Sequence, residues 1–189
     1  MDSEKIKIGI TQGDLNGIGL ELVLKTFSNA GMLDLCTPVL YASAKAATYH
    51  RKAISSETNF HIVKSATEAQ SGMLNLVNCF DDEVKIEFGK PSVDSGRAAL
   101  AALEKAVEEY KSGMIDAIVT APISKSDIQG PSFQFKGHTE FFADRVGDGM
   151  QPLMILMNNQ MKVALLSTHV AVKDISSQLT RDGKIAYFS

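Results

Sequence analysis

The sequence contains no tryptophan, only two cysteines and five prolines among 189 residues, and no long run of apolar side chains. Two cysteines, Cys36 and Cys79, without C-x-x-C spacing exclude a disulfide framework and favour a reducing compartment. The longest strongly apolar run, residues 153–157, is far shorter than the roughly 18 residues that span a bilayer. We therefore expect a cytoplasmic protein with no membrane partner.

The sequence also has no strong excess of charge of one sign, because its 19 basic and 22 acidic residues give a net charge of −3. This balance gives no basic footprint for nucleic acid, so we expect no nucleic-acid partner. The motifs G-x-S-x-G, H-E-x-x-H, G-x-G-x-x-G and G-K-[ST] are absent. Serine hydrolases, zinc proteases, nucleotide-binding P-loops and the usual dinucleotide-binding fingerprint are therefore excluded.

Short β-branched runs alternate with longer stretches of helical period, which is typical of an α/β fold. Strands are predicted at residues 6–11, 38–42, 60–63, 73–77 and 115–120, helices at 18–27, 44–54, 95–110 and 139–146, and a hairpin at 152–168. This order predicts a mostly parallel sheet with right-handed crossovers. The carboxyl ends of such strands collect functional groups, and three clusters qualify: residues 11–19, 120–140 and 167–174.

The first cluster, residues 11–19, has three glycines between a strand and a helix. One interpretation is an anion site at the helix start, with Asn16 as the N-cap and Asp14 as a neighbour. The other is a tight turn without a ligand. The spacing of the glycines leaves both open.

In the second cluster, His138 and Thr139 stand at a predicted helix start, with Lys125 and Lys136 nearby in sequence. Imidazole, hydroxyl and ammonium donors together suit a phosphate or carboxylate. Capping by Thr139 and simple surface exposure remain the alternative.

The third cluster places His169 directly after a buried strand, where neutral imidazole is a common metal ligand, although one ligand is not a site. His50 and His61 are assigned to the surface, and Asp81 with Asp82 to a solvated loop.

Five segments in the same order resemble the 4-hydroxythreonine-4-phosphate dehydrogenases of pyridoxine biosynthesis and their relatives that act on sugar-acid phosphates. They are ITQGDLNGIGLELVLK (10–25), the Ser-Gly-x-Ala-Ala start of 95–106, AIVTAPISK (117–125), GHTEFFAD (137–144) and VALLSTHVAVKD (163–174). The resemblance implies a three-layer α/β/α fold of the isocitrate and isopropylmalate dehydrogenase type. It also implies a homodimer whose active site takes residues from both subunits.

The implied reaction is an NAD-dependent oxidation, with decarboxylation, of 4-phosphooxy-L-threonine in pyridoxal 5'-phosphate biosynthesis. A divalent metal of the Zn, Mg or Co type is implied as a cofactor besides NAD. By resemblance, His138 and Thr139 contact the substrate and His169 binds the metal, with Asp14, Lys125 and Asp174 as site neighbours.

Two departures from the family pattern stand out. Leu15, Asn16 and Leu20 occupy positions where the family has Pro, Ala and Pro. The family's other two metal-binding histidines lie beyond residue 189, so residues 1–189 are expected to be the N-terminal part of a two-domain enzyme. A dehydrogenase of a related sugar-acid phosphate (4-phosphoerythronate or 4-phosphothreonate), or a truncated and non-catalytic fragment, are the alternatives.

Overall fold

The computed structural model describes residues 5–80, 84–150, 152–167 and 170–178, and the chain divides into two units, Met1–Val146 and Gly147–Ser189. Within these described ranges, no helix has the length and apolar character needed to cross a bilayer. The two units are considered separately below.

The first unit alternates strands and helices as predicted. Its elements are β1 (Lys7–Thr11), α1 (Gly19–Thr26), α2 (Ala30–Leu35), β2 (Thr37–Ala42), α3 (Ala44–Ala53), β3 (Phe60–Val63), β4 (Leu74–Asn78), α4 (Val93–Lys111), β5 (Ala117–Thr120), α5 (Lys125–Ile128) and α6 (His138–Val146). The predicted strands and helices of this unit are thus confirmed. The two short helices α2 and α5 were not predicted, because six and four residues are too few to show a helical period.

The five strands form one parallel sheet in the order β3-β4-β2-β1-β5. Strand β2 lies at the centre, and all six of its residues are buried, which explains why it reads as an apolar run without alternation. The predicted parallel α/β fold is confirmed.

Helices cover both faces of this sheet. On one face, Ile10 and Leu40 pack with Leu20 and Leu24 of α1. On the other, Tyr41 packs with alanines of α4, whose small side chains let the helix approach closely. This arrangement is the predicted three-layer α/β/α sandwich.

The second unit contains a hairpin of β6 (Met154–Met157) and β7 (Lys162–Leu165), followed by a 3-10 turn (Val172–Asp174) and α7 (Ile175–Gln178). The strands are antiparallel, so the predicted hairpin is confirmed. Neither Asn158 nor Asn159 in the turn has positive φ. Instead the Asn158 side-chain oxygen accepts hydrogen bonds from the backbone N–H groups of Gln160 at 2.9 Å and Met161 at 2.8 Å.

Candidate functional site

The glycine loop, residues 12–18, joins β1 to α1 and lies against the residues that follow β5. Gly13 has φ +71°, and a Cβ there would lie 2.3 Å from the Pro122 carbonyl oxygen. The Asp14 N–H donates to that same oxygen at 2.9 Å. Only glycine allows the two chain segments to approach this closely.

Five backbone N–H groups of this loop are engaged within the protein. The N–H groups bond as follows: Gln12 to the Tyr41 carbonyl, Asp14 to Pro122, Leu15 to Ser95 Oγ, Asn16 to Asp14 Oδ1 and Gly17 to the Asp14 carbonyl. An anion cradle needs such groups free. These five bonds support the tight-turn interpretation for residues 12–17, and the anion site at the start of α1 stays a prediction.

The predicted capping role of Asn16 is wrong. Residue Ile18 occupies the N-cap position of α1 and makes no side-chain capping bond. The Asn16 amide instead donates to the Lys90 carbonyl at 2.8 Å and accepts from the Glu87 N–H at 2.9 Å. Asn16 thus ties the glycine loop to the segment before α4, a long-range contact that local sequence does not reveal.

Asp14 organises the same loop. Its Oδ1 accepts from the Asn16 N–H at 2.9 Å and from the Ser95 hydroxyl, and Ser95 Oγ in turn accepts from the Leu15 N–H at 2.7 Å. Ser95 is fully buried. Sequence reasoning missed this role, although Ser95 begins the Ser-Gly-x-Ala-Ala segment that carries the family resemblance.

His50 is buried, and its assignment to the surface is wrong. It is 1% exposed, its Nε2 lies 2.7 Å from the Leu15 carbonyl oxygen, and its ring meets that of Phe88 edge-on at 5.0 Å. A carbonyl oxygen only accepts, so this nitrogen carries the hydrogen. Burial lowers the pKa of His50, which keeps the ring neutral. His61, also predicted to lie on the surface, is half-buried in β3.

His138 is the first residue of α6 and stacks on Phe142, with ring centroids 6.4 Å apart. Its Nε2 is buried and has no hydrogen-bond partner within the described ranges. Burial lowers the pKa of His138, so the imidazole is neutral. An unsatisfied buried nitrogen is costly, which makes this atom a candidate for contact with a ligand.

Thr139 follows within the first turn of α6 and is exposed. Because the helix begins at His138, Thr139 lies within its first turn, and the alternative in which Thr139 caps the helix is wrong. Thr139 is therefore an exposed residue next to the half-buried His138.

An aromatic cluster fixes the position of α6. Phe133, Phe135 and Phe141 lie within 5.7 Å of one another by ring centroid, and Phe141 is fully buried. The same apolar cluster includes Leu103 of α4. Helix α4 thus holds α6, and with it His138, in a defined place.

The lysines of the second cluster lie at the surface. Lys125 begins α5 and is exposed, as is Lys136. No hydrogen bond or ion pair in the described part of the chain joins Asp14 to His138 or Lys125. The assignment of Asp14 and Lys125 to the site therefore stays a prediction.

Thr168 and His169 of the third cluster lie outside the described residues, as do Asp81 and Asp82. Asp174 ends the 3-10 turn of the second unit and is exposed. Within the ranges that are described, no three His, Cys, Asp or Glu side chains are grouped so that they could hold a metal ion. The described residues alone do not fit a metal centre, and the role of His169 stays a prediction.

A family model described as "Pyridoxal phosphate biosynthetic protein PdxA" matches residues 34–187. The chain belongs to the PdxA family. It is 55% identical over 182 residues to a 4-hydroxythreonine-4-phosphate dehydrogenase of Bacteroides thetaiotaomicron, covering 96% of this chain and 50% of the relative. A Clostridium botulinum protein provisionally named D-threonate 4-phosphate dehydrogenase is 32% identical over 192 residues, covering 99% of this chain and 57% of that protein.

The fold agrees with a solved PdxA structure. The crystal structure of a 4-hydroxythreonine-4-phosphate dehydrogenase from Burkholderia phymatum superposes with a TM-score of 0.85 at 28% identity. The match covers 98% of this chain and 57% of that chain. The resemblance seen in the motifs is confirmed, and the chain spans little more than half the length of the relatives it matches.

Proposed function

We propose that this chain is the N-terminal part of a cytoplasmic 4-hydroxythreonine-4-phosphate dehydrogenase. Its reaction would be the NAD-dependent oxidation and decarboxylation of 4-phosphooxy-L-threonine in pyridoxal 5'-phosphate biosynthesis. The 55% identity to the Bacteroides relative over 96% of this chain is the observation that carries the proposal. The position of the GHTE motif at the start of α6 supports it.

His138 and Thr139 would bind the phosphorylated substrate. A neutral imidazole can donate from one nitrogen and accept at the other, and the buried Nε2 of His138 has no partner among the residues that the structure describes. A substrate oxygen would supply that partner. The adjacent hydroxyl of Thr139, in the same helical turn, would add a second directional contact.

The described residues alone do not form a complete site for NAD or for a metal. Five N–H groups of the glycine loop are engaged in bonds within the protein, and no metal-binding group is formed within the described residues. By family resemblance, the metal would be held partly by His169 and would polarise the substrate hydroxyl, while NAD would accept the hydride. We propose a homodimer on the same basis.

A related activity is the second candidate. The Clostridium relative is named for D-threonate 4-phosphate, a substrate with a hydroxyl where 4-phosphooxy-L-threonine carries an amine. The identity of 32% with that relative, against 55% with the Bacteroides relative, favours the amine-bearing substrate.

The test is a chimera of residues 1–189 of this chain followed by the part of the Bacteroides relative that has no counterpart here. We expect NADH formation with 4-phosphooxy-L-threonine and less with 4-phosphothreonate. His138→Ala should lower kcat/KM about 10- to 100-fold, the equivalent of about 1–3 kcal/mol for one lost buried hydrogen bond. His61→Ala, in β3, is the matched control and should leave it unchanged.

A folded chimera that forms no NADH with either substrate would contradict the proposed function. Faster turnover of 4-phosphothreonate would favour the second candidate. The 189-residue chain by itself should bind divalent metal weakly and turn over no substrate. NADH formation by that chain alone would show that the rest of the relative is not needed.

A further inference from the structure

The position of the His138 imidazole is not explained by a hydrogen bond of its buried nitrogen. His138 is half-buried at the first residue of α6, and Lys136 and Thr139, close to it in sequence, are exposed. Its Nε2 is nevertheless buried and has no partner within the described ranges. A side chain this close to solvent can gain a hydrogen bond to water by a change of rotamer, so another contact must hold the ring inward.

The ring of Phe142 supplies that contact. Phe142 is four residues after His138 on α6, a spacing that brings two side chains onto the same face of a helix. The ring centroids lie 6.4 Å apart and the ring planes differ by 20°, so the rings are nearly parallel. A stack of two flat rings restricts the tilt of the imidazole, because aromatic pairs favour defined relative orientations.

Phe142 is itself held by the protein core. Its ring meets that of Phe141 edge-on at 5.4 Å. Phe141 is fully buried and belongs to the apolar cluster that includes Leu103 of α4. Phe142 lies at the border of this cluster and is only half-buried, which leaves its ring available to His138. A continuous set of packed side chains therefore connects α4 to the imidazole.

His50 shows what is different at His138. Burial lowers the pKa of both histidines and keeps both rings neutral. The Nε2 of His50 donates to the Leu15 carbonyl oxygen at 2.7 Å, so a hydrogen bond fixes that ring and occupies its nitrogen. At His138 the stack on Phe142 orients the ring and leaves Nε2 without a partner in the described part of the chain. A ring held in this way is oriented before a ligand arrives and keeps its hydrogen-bonding atom for that ligand.

We propose that Phe142 is a positioning residue for substrate binding, because its ring holds the His138 imidazole so that Nε2 meets the substrate in a fixed orientation. This role rests on the proposed function, in which His138 binds the substrate. Phe142 acts through the imidazole. Its contribution is to remove ring motion that substrate binding would otherwise have to remove.

The first test observes the imidazole itself, in the 189-residue chain. NMR couplings and ring-to-ring NOEs should show a single χ1 rotamer of His138 in contact with Phe142. Phe142→Leu keeps an apolar side chain but has no flat ring, so more than one rotamer of His138 should be populated. Phe135→Leu is the matched control and should keep the single rotamer, because Phe135 is also half-buried and its ring contacts are with Phe133 and Phe141.

A single His138 rotamer in Phe142→Leu, with circular dichroism showing an intact fold, would overturn the proposed role. If Phe142→Leu does not fold, Phe142→Met takes its place, since methionine fills a similar volume without a ring. This test needs no enzymatic activity.

The second test measures substrate binding in the chimera described above. Phe142→Leu should raise KM for 4-phosphooxy-L-threonine at least about fivefold and change kcat less than about twofold. Phe142→Tyr keeps the ring, and both constants should stay within about twofold of the unmodified chimera, as they should in Phe135→Leu. When His138 is already alanine, Phe142→Leu should have almost no further effect, because its contribution passes through the imidazole.

An equal rise in KM with and without the His138 side chain would overturn the proposed role, since Phe142 would then act on the fold alone. Several His138 rotamers in Phe142→Leu together with an unchanged KM would overturn it as well. A chimera that binds the substrate but forms no NADH would contradict only the proposed activity. Calorimetry then gives Kd in place of KM, and an unchanged Kd in Phe142→Leu would overturn the positioning role. Absence of substrate binding to the folded chimera would overturn both.

Discussion

The His50 imidazole donates from Nε2 to the carbonyl oxygen of Leu15 over 2.7 Å, and the Ser95 hydroxyl oxygen accepts from the Leu15 N–H. Helices α3 and α4 therefore both hold the glycine loop. Leu15 is thereby fixed at both its N–H and its carbonyl, and its side chain is fully buried. The loop that resembles a ligand cradle in sequence is a junction where α3, α4 and the end of β5 meet. Its rigidity places the start of α1 and the segment after β5.

Removing the His50 side chain should destabilise the protein. His50→Ala leaves the buried Leu15 carbonyl without its donor and opens a cavity beside Phe88. We expect a loss of about 2–4 kcal/mol in the free energy of unfolding, measured by urea denaturation. His61→Ala should cost less than half as much, because His61 is half-buried in an edge strand. Equal losses for the two variants would contradict the role given to His50.

Acid should destabilise the protein through the same residue. Burial lowers the folded-state pKa of His50 below its ordinary value of 6.5, although Glu21 and Asp14 oppose part of that effect. The unfolded chain therefore binds a proton at a pH where the folded chain does not, and stability rises with pH in that window. We expect the free energy of unfolding to fall as the pH drops below about 6.5, by at most about 1.4 kcal/mol per pH unit for this group.

The check is urea denaturation between neutral pH and pH 5, repeated with His50→Gln. The glutamine variant keeps a donor but cannot be protonated, so its stability should depend less on pH. His138 titrates in the same direction and should account for part of the remaining slope. An unchanged slope in His50→Gln would assign the effect to other groups.

The strand and helix pattern could be read from sequence where an element buries a continuous run or face of apolar residues, as β2 does. His50 was misassigned because Arg51 and Lys52 make that helix end polar, while the side of the helix that faces the glycine loop is set by tertiary packing. Asn16 was misassigned and Ser95 was missed for a related reason. Their partners lie more than 70 residues away in sequence, and such contacts leave no local pattern.

Gly72 and Gly13 both have left-handed backbone, but only Gly13 is crowded, so substituting each one distinguishes the cost of backbone strain from the cost of steric crowding. Gly72 has φ +79° with no atom within 4 Å of a built Cβ, whereas Gly13 has φ +71° with the Pro122 oxygen at 2.3 Å. Gly72→Ala should cost about 1–2 kcal/mol for the backbone conformation alone. Gly13→Ala should cost at least about 2 kcal/mol more, because backbone must move as well. Comparable melting temperatures for the two variants would contradict the close approach of the loop to Pro122.

Tyr41 and Glu109 form a buried pair between β2 and α4. The Tyr41 hydroxyl donates to Glu109 Oε2 at 2.8 Å, and the Ala66 N–H donates to the same oxygen at 2.8 Å. Burial, together with the Glu109 carboxylate, raises the pKa of Tyr41 strongly. Tyr41→Phe should cost about 1–3 kcal/mol, because Glu109 is 1% exposed and loses a donor that water cannot replace. Tyr110→Phe, at a 40% exposed position on the same helix α4, is the control and should change stability by less than about 0.5 kcal/mol.

Ser95 connects α4 to the glycine loop, and removing its hydroxyl should break two hydrogen bonds. Ser95→Ala leaves the buried Leu15 N–H without its acceptor and removes the hydroxyl donor from Asp14 Oδ1. We expect a loss of about 1–3 kcal/mol in unfolding free energy. Ser112→Ala, which removes an exposed hydroxyl bonded to the Glu108 carbonyl at the end of the same helix, should cost less than about 0.5 kcal/mol.

If Asp14 acts mainly by accepting these bonds, Asp14→Asn should keep most of the stability, since the amide oxygen can accept from both Ser95 and Asn16. A loss in Asp14→Asn larger than that in Ser95→Ala would instead show that the negative charge itself is needed at this loop.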